Sequence, residues 1–324
     1  MSTSPERPGL VSFDSLRPEH FMELLRQEEE EWGRVLEWDF APVREAMFYM
    51  LSQQILPGVA LLAEGRCQGY IYYLIRDNRT LLGGFYFTPE VRASEWPRLA
   101  LERVLRLLHR PAAPPAIEGQ IVFPGPERFV QPFLSQNGFT FVERRFLRLP
   151  ALAPRPLPPP DPGVEILLFA ADALEELALV MHRSYRGHVD VQTSSLYGSF
   201  HGCHHLLNQL YLKEGCGPLE PAATLLARVD GEAAGAILIS RISRKSFFVS
   251  QVFVDPRHQG RGLGRRLLLS AVNTLTRIDP AAHLGLTVTL ANRPAYEWYL
   301  RFGFEDIVPH YAFIRPAPEP PAGD

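Results

Sequence analysis

Residues 252–264 read Val-Phe-Val-Asp-Pro-Arg-His-Gln-Gly-Arg-Gly-Leu-Gly, and this run restricts the fold more than any other stretch of the chain. The apolar residues that end at Asp255-Pro256 predict a strand that stops there. Gln259-x-x-Gly262-x-Gly264 predicts a loop, and the run from Arg265 to Leu275 predicts an amphipathic helix. A strand that feeds a glycine-rich loop at a helix N-terminus is a prepared anion site. Backbone N–H groups point outward there, the helix dipole is positive, and glycine lets phosphate oxygens come close. Two other phosphate loops do not fit. Gly260-x-Gly262-x-Gly264 lacks the G-x-G-x-x-G spacing of a dinucleotide loop, and Gly264 is followed by Arg265 rather than by the Lys-Ser/Thr of a P-loop. An ordinary tight turn before a helix is the plain alternative.

A second run lies downstream: Asn292-Arg-Pro-Ala295-Tyr296-Glu-Trp298-Tyr299-Leu-Arg-Phe-Gly303-Phe304. Q-x-x-G-x-G followed in order by N-x-x-A-x-x-W/L-Y-x-x-x-G-F resembles the GNAT superfamily of acyl-CoA-dependent N-acyltransferases. The resemblance implies an α/β fold in which a mixed, mostly antiparallel sheet is flanked by helices. It also implies two splayed neighbouring strands that admit the thioester, here Ser246–Val254 and Leu284–Thr289.

The chain has 324 residues, enough for two domains, and its hydrophobic content of 46% with 21% charged residues describes a globular protein. A net charge of −3 favours neither nucleic acid nor an anionic membrane. Three scattered cysteines, Cys67, Cys203 and Cys216, make no disulfide framework. The first residues lack the basic-then-apolar pattern of a signal peptide, and no apolar run has the length of a membrane span. Cytoplasm is the expected compartment, and it is where acyl-CoA is available.

Residues 150–163 read Pro-Ala-Leu-Ala-Pro-Arg-Pro-Leu-Pro-Pro-Pro-Asp-Pro-Gly, which predicts an extended connector between domains 1–149 and 164–324. The two halves repeat at a spacing of about 166 residues. Ala63-Glu-Gly65-Arg-Cys-Gln-Gly69 matches Val229-Asp-Gly231-Glu-Ala-Ala-Gly235, Phe85-Tyr-Phe-Thr-Pro89 matches Val252-Phe-Val-Asp-Pro256, and Gly138-Phe139 matches Gly303-Phe304. The tandem arrangement of GNAT-like domains is similar to this. The N-terminal copy has lost the loop, because Arg92, Glu95 and Pro97 stand where Gln259, Gly262 and Gly264 stand. A carboxylate there repels phosphate, and proline removes an N–H donor. Ser94-Glu-Trp-Pro instead predicts an ordinary helix N-cap, so residues 1–149 are expected to bind no CoA.

In the second half, strands are predicted at 164–169, 222–228, 232–241, 246–254 and 284–289, with two short ones at 305–307 and 311–314. Helices are predicted at 173–186, 199–214, 262–276 and 294–301.

The resemblance places acetyl-CoA, as acyl donor, against Val252, Phe253, Val254, Gln259, Gly260, Arg261, Gly262, Leu263, Gly264, Arg265, Asn292, Ala295 and Tyr299. Val252 to Val254 offer backbone groups only, since their side chains read as core. Asn292 also suits the N-cap of a helix that has Pro294 in its first turn. Tyr299 falls at the position of the family's general acid, and a phenol is protonated near neutral pH. A core tyrosine among Trp298, Phe302 and Phe304 is the alternative.

No carboxylate lies on the strand before the loop, where Ser250 and Gln251 are the polar residues. His188 and Asp190, in the polar and aromatic segment 182–192, are the candidate base or acceptor-binding groups, against an exposed polar loop. His201, Cys203, His204, His205 and Cys216 match no zinc spacing, so no metal is expected. The expected partner is a small-molecule amine. A non-catalytic acyl-CoA-binding module, a mycothiol-synthase-like acetyltransferase and a transferase using aminoacyl-tRNA remain alternatives.

Overall fold

The computed structural model describes residues 8–76, 79–108, 116–159, 161–212 and 216–316. The chain forms two compact units: Met1–Arg144 with Val308–Asp324, and Arg145–Ile307. Segment 150–163 therefore lies inside the second unit and does not divide the chain. Its described residues carry neither helix nor strand. Leu152 is buried in the second unit's core, the Arg155 N–H donates to Asn273 Oδ1 at 2.8 Å, and Arg266 donates to the Pro159 carbonyl. A proline-rich segment cannot pair as a central strand, yet its extended backbone can be packed and pinned from the side.

The first unit holds β1 (Gly9–Ser12), β2 (Gly58–Ala63), β3 (Arg66–Arg76), β4 (Arg79–Phe87) and β5 (Ala116–Ile121), in that spatial order. Its helices are α1 (Met22–Glu31), α2 (Ala41–Ser52), the short α3 (Pro89–Arg92), α4 (Trp96–Leu108) and α5 (Glu127–Gln136). β6 (Thr140–Leu149) and β12 (Glu305–Arg315) contribute residues to both units. Within the first, Tyr311 to Arg315 pair antiparallel with Ile117 to Ile121. β12 is one strand where two short ones were expected. Pro309 lies within it, and the φ that proline imposes suits extended backbone.

The second unit holds β7 (Val164–Leu168), β8 (Leu225–Val229), β9 (Glu232–Arg241), β10 (Ser246–Val254) and β11 (His283–Thr289), which order as β11-β10-β9-β8-β7. Its helices are α6 (Leu174–Tyr185), α7 (Phe200–Tyr211), α8 (Leu263–Ile278) and α9 (Arg293–Phe302). β9 is buried along Ala233–Ser240, which is why it reads as an unbroken run of small and apolar residues. Its side chains alternate between two cores. Ile237 and Ile239 join Leu267, Leu268, Val272 and Leu275 of α8 on one face. Ala236 and Leu238 join α6 and α7 on the other.

The duplication is preserved in backbone detail. The parallel ladder of β10 and β11 ends at Val249–Leu286, and that of β4 and β5 ends at Leu82–Gly119, each residue 167 positions earlier. The shift in register falls at Ser250 in one unit and at Gly83, also 167 positions earlier, in the other. Both units therefore keep the bulge and the splayed strand pair. They differ in the loop that follows.

Candidate active site in the second unit

β10 and β11 pair only from Ser246–His283 to Val249–Leu286. Beyond that point β10 continues to Val254 and β11 to Thr289, and β10 keeps only its ladder to β9. The β11-facing edge of Gln251–Val254 is thus free of ladder partners. The side chains of Val252 and Val254 pack on the core, and Phe253 is buried on the opposite face. The side chains of all three are therefore engaged in the two cores.

Asp255 turns the chain out of the sheet. It is fully buried; its Oδ1 accepts from the Arg257 N–H at 3.0 Å, and its Oδ2 from Arg183 Nη2 at 2.6 Å. Burial alone pushes this carboxyl up, but the hydrogen bonds from Arg257 and Arg183 outweigh it and hold the pKa at about 2. The group lies below its ordinary value, so its contribution is complete above roughly pH 4 and is lost as pH falls through about 2. Asp255→Ala is expected to cost about 2–4 kcal/mol at neutral pH, since it strips a buried anion from two arginines. In urea titrations the gap between the two proteins should narrow as pH falls from about 4 towards 2, whereas a pH-independent gap would assign the loss to packing.

Gln259 closes the turn, with Nε2 donating to the Val254 carbonyl at 3.0 Å. Gly260 and Gly262 hold φ of +76° and +80°, and a Cβ on either would meet nothing within 4 Å. Both glycines are therefore set by backbone conformation, and the space over them is open. Gly262 is the N-cap of α8 and, having no side chain, makes no cap hydrogen bond to the free N–H groups of its first turn. Leu263 is buried, whereas Arg265 is exposed. Beside the loop is a cleft of about 120 Å³, lined by His258, Arg261, Arg265 and Arg266 among others. Asp161 approaches Arg261 at 3.7 Å and offsets part of that positive charge. A cradle of open glycines and an uncapped helix with flanking arginines fits a pyrophosphate.

The corresponding place in the first unit is plugged. Arg92 stands 167 positions before Gln259, and its Nε donates at 3.0 Å to the carbonyl of Phe87, which stands 167 positions before Val254. One hydrogen bond has survived a change of residue. The Arg92 guanidinium is buried, paired with Glu31 and set over the rings of Tyr86 and Phe123. Ser94 Oγ accepts from the Trp96 N–H at 3.3 Å, so this helix start carries its own cap. The adjoining cleft of about 520 Å³ is lined by Glu23, Glu30, Glu31 and Glu90 against Arg34 and Arg66. That surface suits no pyrophosphate.

The β11–α9 junction of the second unit gathers residues far apart in sequence. Asn292 Oδ1 accepts from the Ala295 N–H at 3.4 Å, the expected N-cap, and Ala295 packs on the core. Asn292 Nδ2 lies 3.2 Å from His188 Nε2. His188 Nδ1 lies 3.2 Å from the Asp190 N and 3.6 Å from Asp190 Oδ2. Asp190 Oδ1 accepts the hydroxyl of Thr289, the last residue of β11. Tyr185 OH donates to Gln251 Oε1 at 3.1 Å, and Gln251 Nε2 donates to Tyr197 OH at 2.9 Å. The Tyr185 and Tyr197 rings stack at 4.1 Å. Segment 185–197 is thus tied both to β10 and to the β11–α9 junction.

Tyr299 is half-buried, with its ring edge-on to Phe304. Burial, and then the charge of Asp190, raise its pKa well above the ordinary phenol value. Both effects keep the phenol protonated.

Tyr185, Tyr197, Thr289 and Arg183 were not singled out from sequence. Tyr185 and Arg183 fall in the polar segment already suspected, but nothing local marks Tyr197 or Thr289. His201 and His204 pack about the Phe200 ring, and among the described residues no group of three His, Cys, Asp or Glu side chains is placed to hold a metal. No helix among them is long and apolar enough to cross a membrane.

Residues 195–304 match the acetyltransferase (GNAT) family. A streptothricin acetyltransferase of Streptomyces lavendulae is 37% identical over 76 residues, which is 23% of this chain and 40% of that relative's length. Among solved structures, a GCN5-related N-acetyltransferase from Sphaerobacter thermophilus superposes with a TM-score of 0.61 at 17% identity, covering 98% of this chain and 99% of the other. A tandem GNAT protein from the clavulanic acid biosynthesis pathway superposes with a TM-score of 0.57 at 14% identity, covering 95% of this chain and 98% of the other. The chain has the tandem GNAT fold, with the family's sequence signature in its second copy and a degenerate first copy.

Proposed function

We propose that this chain, whose second unit carries the GNAT acetyltransferase signature, is an acyl-CoA-dependent N-acetyltransferase that acts on a primary amine of a small molecule. The observation that carries the reading is the splay of β10 from β11. The glycine loop follows β10 in the chain, and α9, which carries Tyr299, follows β11; both support the reading.

Gly260 to Gly264 and the first turn of α8 hold the pyrophosphate through backbone N–H groups, with Arg261 and Arg265 adding positive charge. Backbone groups of Val252 to Val254 line the pantetheine arm of CoA, and Asn292 fixes the start of α9. When bound, a CoA thioester supplies an acyl carbon joined to a good leaving group. The amine attacks directly: a C–N bond forms and the C–S bond breaks. Tyr299 Oη gives its proton to the departing sulfur, and the proton lost from nitrogen restores the phenol through solvent. Overall, an amine that enters as ammonium releases one proton. The cytoplasm, where acyl-CoA is available, is the compartment this reaction requires, and neither nucleic acid nor membrane is needed.

The test is a panel of primary amines with acetyl-CoA and the full chain, followed by release of free thiol. Amine-dependent thiol release is expected. Tight acetyl-CoA binding without release across the panel would make the chain a non-catalytic acyl-CoA-binding module.

A further inference from the structure

We propose that Arg155, in the proline-rich segment ahead of the second copy, is a positioning residue: it clamps the end of α9 to α8 and so holds Tyr299 in register with the glycine loop. Arg155 lies outside residues 195–304, which carry the family match. The consequence for Tyr299 rests on the acyl-transfer reading above, whereas the clamp itself does not.

The first observation is how the segment is fixed to α8. Pro154 and Pro156 flank Arg155, so the chain is biased to extended backbone there, and Arg155 supplies the one backbone N–H of the three residues. Asn273 on α8 meets both of its backbone groups: Oδ1 accepts from the Arg155 N–H at 2.8 Å, and Nδ2 donates to the Arg155 carbonyl at 2.9 Å. A side-chain amide thus pairs with this residue much as a neighbouring strand would. Leu152, buried in the same core as α8, and the bond from Arg266 to the Pro159 carbonyl fasten the segment on either side. The Arg155 side chain therefore starts from a backbone with little freedom left to lose.

The second observation is where that side chain goes. Arg155 Nη1 donates to the carbonyl of Phe302, the last residue of α9, and the guanidinium carbon stands 4.2 Å from the centroid of the Phe302 ring. The last four carbonyls of a helix have no intrahelical partner. Backbone takes two of those in α9: Leu300 accepts from the Gly303 N–H at 3.0 Å, and Tyr299 from the Phe304 N–H at 3.1 Å. Arg155 takes a third and sets a positive charge at the negative end of the helix dipole. Phe302 in turn lies against both rings packed on Tyr299. Its centroid is 5.6 Å from Trp298 and 5.8 Å from Phe304, and that of Tyr299 is 5.0 Å from Trp298 and 5.5 Å from Phe304. Arg155 therefore acts on Tyr299 through the Phe302 ring and its two neighbours. It does so from a segment bound to the helix that starts at the glycine loop.

The experiment uses the full-length protein and compares Arg155→Met, which keeps the backbone bonds to Asn273 and an apolar stem, with Arg155→Lys, which restores the charge. With acetyl-CoA and an amine that wild type acetylates, well below the melting temperature, Arg155→Met should lower kcat about ten- to hundredfold, the cost of a misplaced group. The acetyl-CoA Kd should stay within about twofold, since α8 and its loop keep their contacts. Arg155→Lys should recover part of the loss. In a Tyr299→Phe background, Arg155→Met should lower kcat by less than about twofold, because the group it positions is gone. A kcat unchanged by Arg155→Met, or an equal fall in both backgrounds, overturns the proposal. Should Arg155→Met fail to fold, Arg155→Lys goes through the same cycle, with its smaller loss again absent beside Tyr299→Phe. If wild type acetylates no amine, the acyl-transfer reading fails, and hydrogen exchange still decides the clamp. The Gly303 and Phe304 amides should exchange about tenfold faster in Arg155→Met than in wild type, and equal rates overturn it.

Discussion

Tyr299→Phe should lower kcat about a hundred- to ten-thousand-fold, the range spanned by loss of a positioned general acid, with little change in the Kd for acetyl-CoA. The substitution removes one oxygen from a half-buried ring that packs on Trp298 and Phe304, so the helix and its core contacts persist. Burial and Asp190 raise the phenol's pKa, which means the donor form outlasts that of an ordinary tyrosine as pH rises. Wild-type kcat should therefore show no alkaline fall from this group up to about pH 10, the ordinary phenol value. Single-turnover kinetics separate the acid from a core tyrosine. A slow chemical step with unaltered binding supports proton donation, and an unchanged kcat in the variant would return the role to a water.

Gly262→Glu should weaken acetyl-CoA binding by about a hundredfold or more, some 3 kcal/mol, and should do so without unfolding the chain. Two effects act together. The residue holds φ of +80°, which costs a side-chain-bearing residue about 1–2 kcal/mol. The carboxylate also stands at the uncapped start of α8, where it repels phosphate and competes for the same N–H groups. Gly262→Ala carries the strain without the charge and should fall between the two. Calorimetry on wild type should show one site per chain, because Arg92 and the Ser94 cap occupy the matching place in the first unit. Two equivalent sites, or Gly262→Glu binding as wild type does, would remove the loop from the donor site.

What could be read from the chain by itself was whatever is written in local spacing. Gln259-x-x-Gly262-x-Gly264 and the Asn292 to Phe304 run each constrain a loop and the helix beside it, and the observed α8 and α9 begin one residue from their predicted starts. β9 and β10 run Glu232–Arg241 and Ser246–Val254, as their apolar patterns imply. The loss of the anion loop from the first copy was equally legible, because Glu95 and Pro97 change charge and N–H supply whatever surrounds them.

Tertiary structure alone decided the rest, because the deciding contacts join residues that carry no mutual signal in sequence. The proline-rich run looked like a boundary by composition, yet its edge packs on α8 and the unit division falls within β6 and β12. Arg92 looked like a lost glutamine-loop residue, and only the fold shows it bonding the same strand-end carbonyl that Gln259 bonds. Gln251 meets Tyr185 and Tyr197 across 66 and 54 residues, and Asp190 meets Thr289 across 99. Periodicity reports which face of an element is buried. Whether a carboxylate on that face finds an arginine, as Asp255 does, or a histidine ring and a threonine hydroxyl, as Asp190 does, depends on what folding brings beside it.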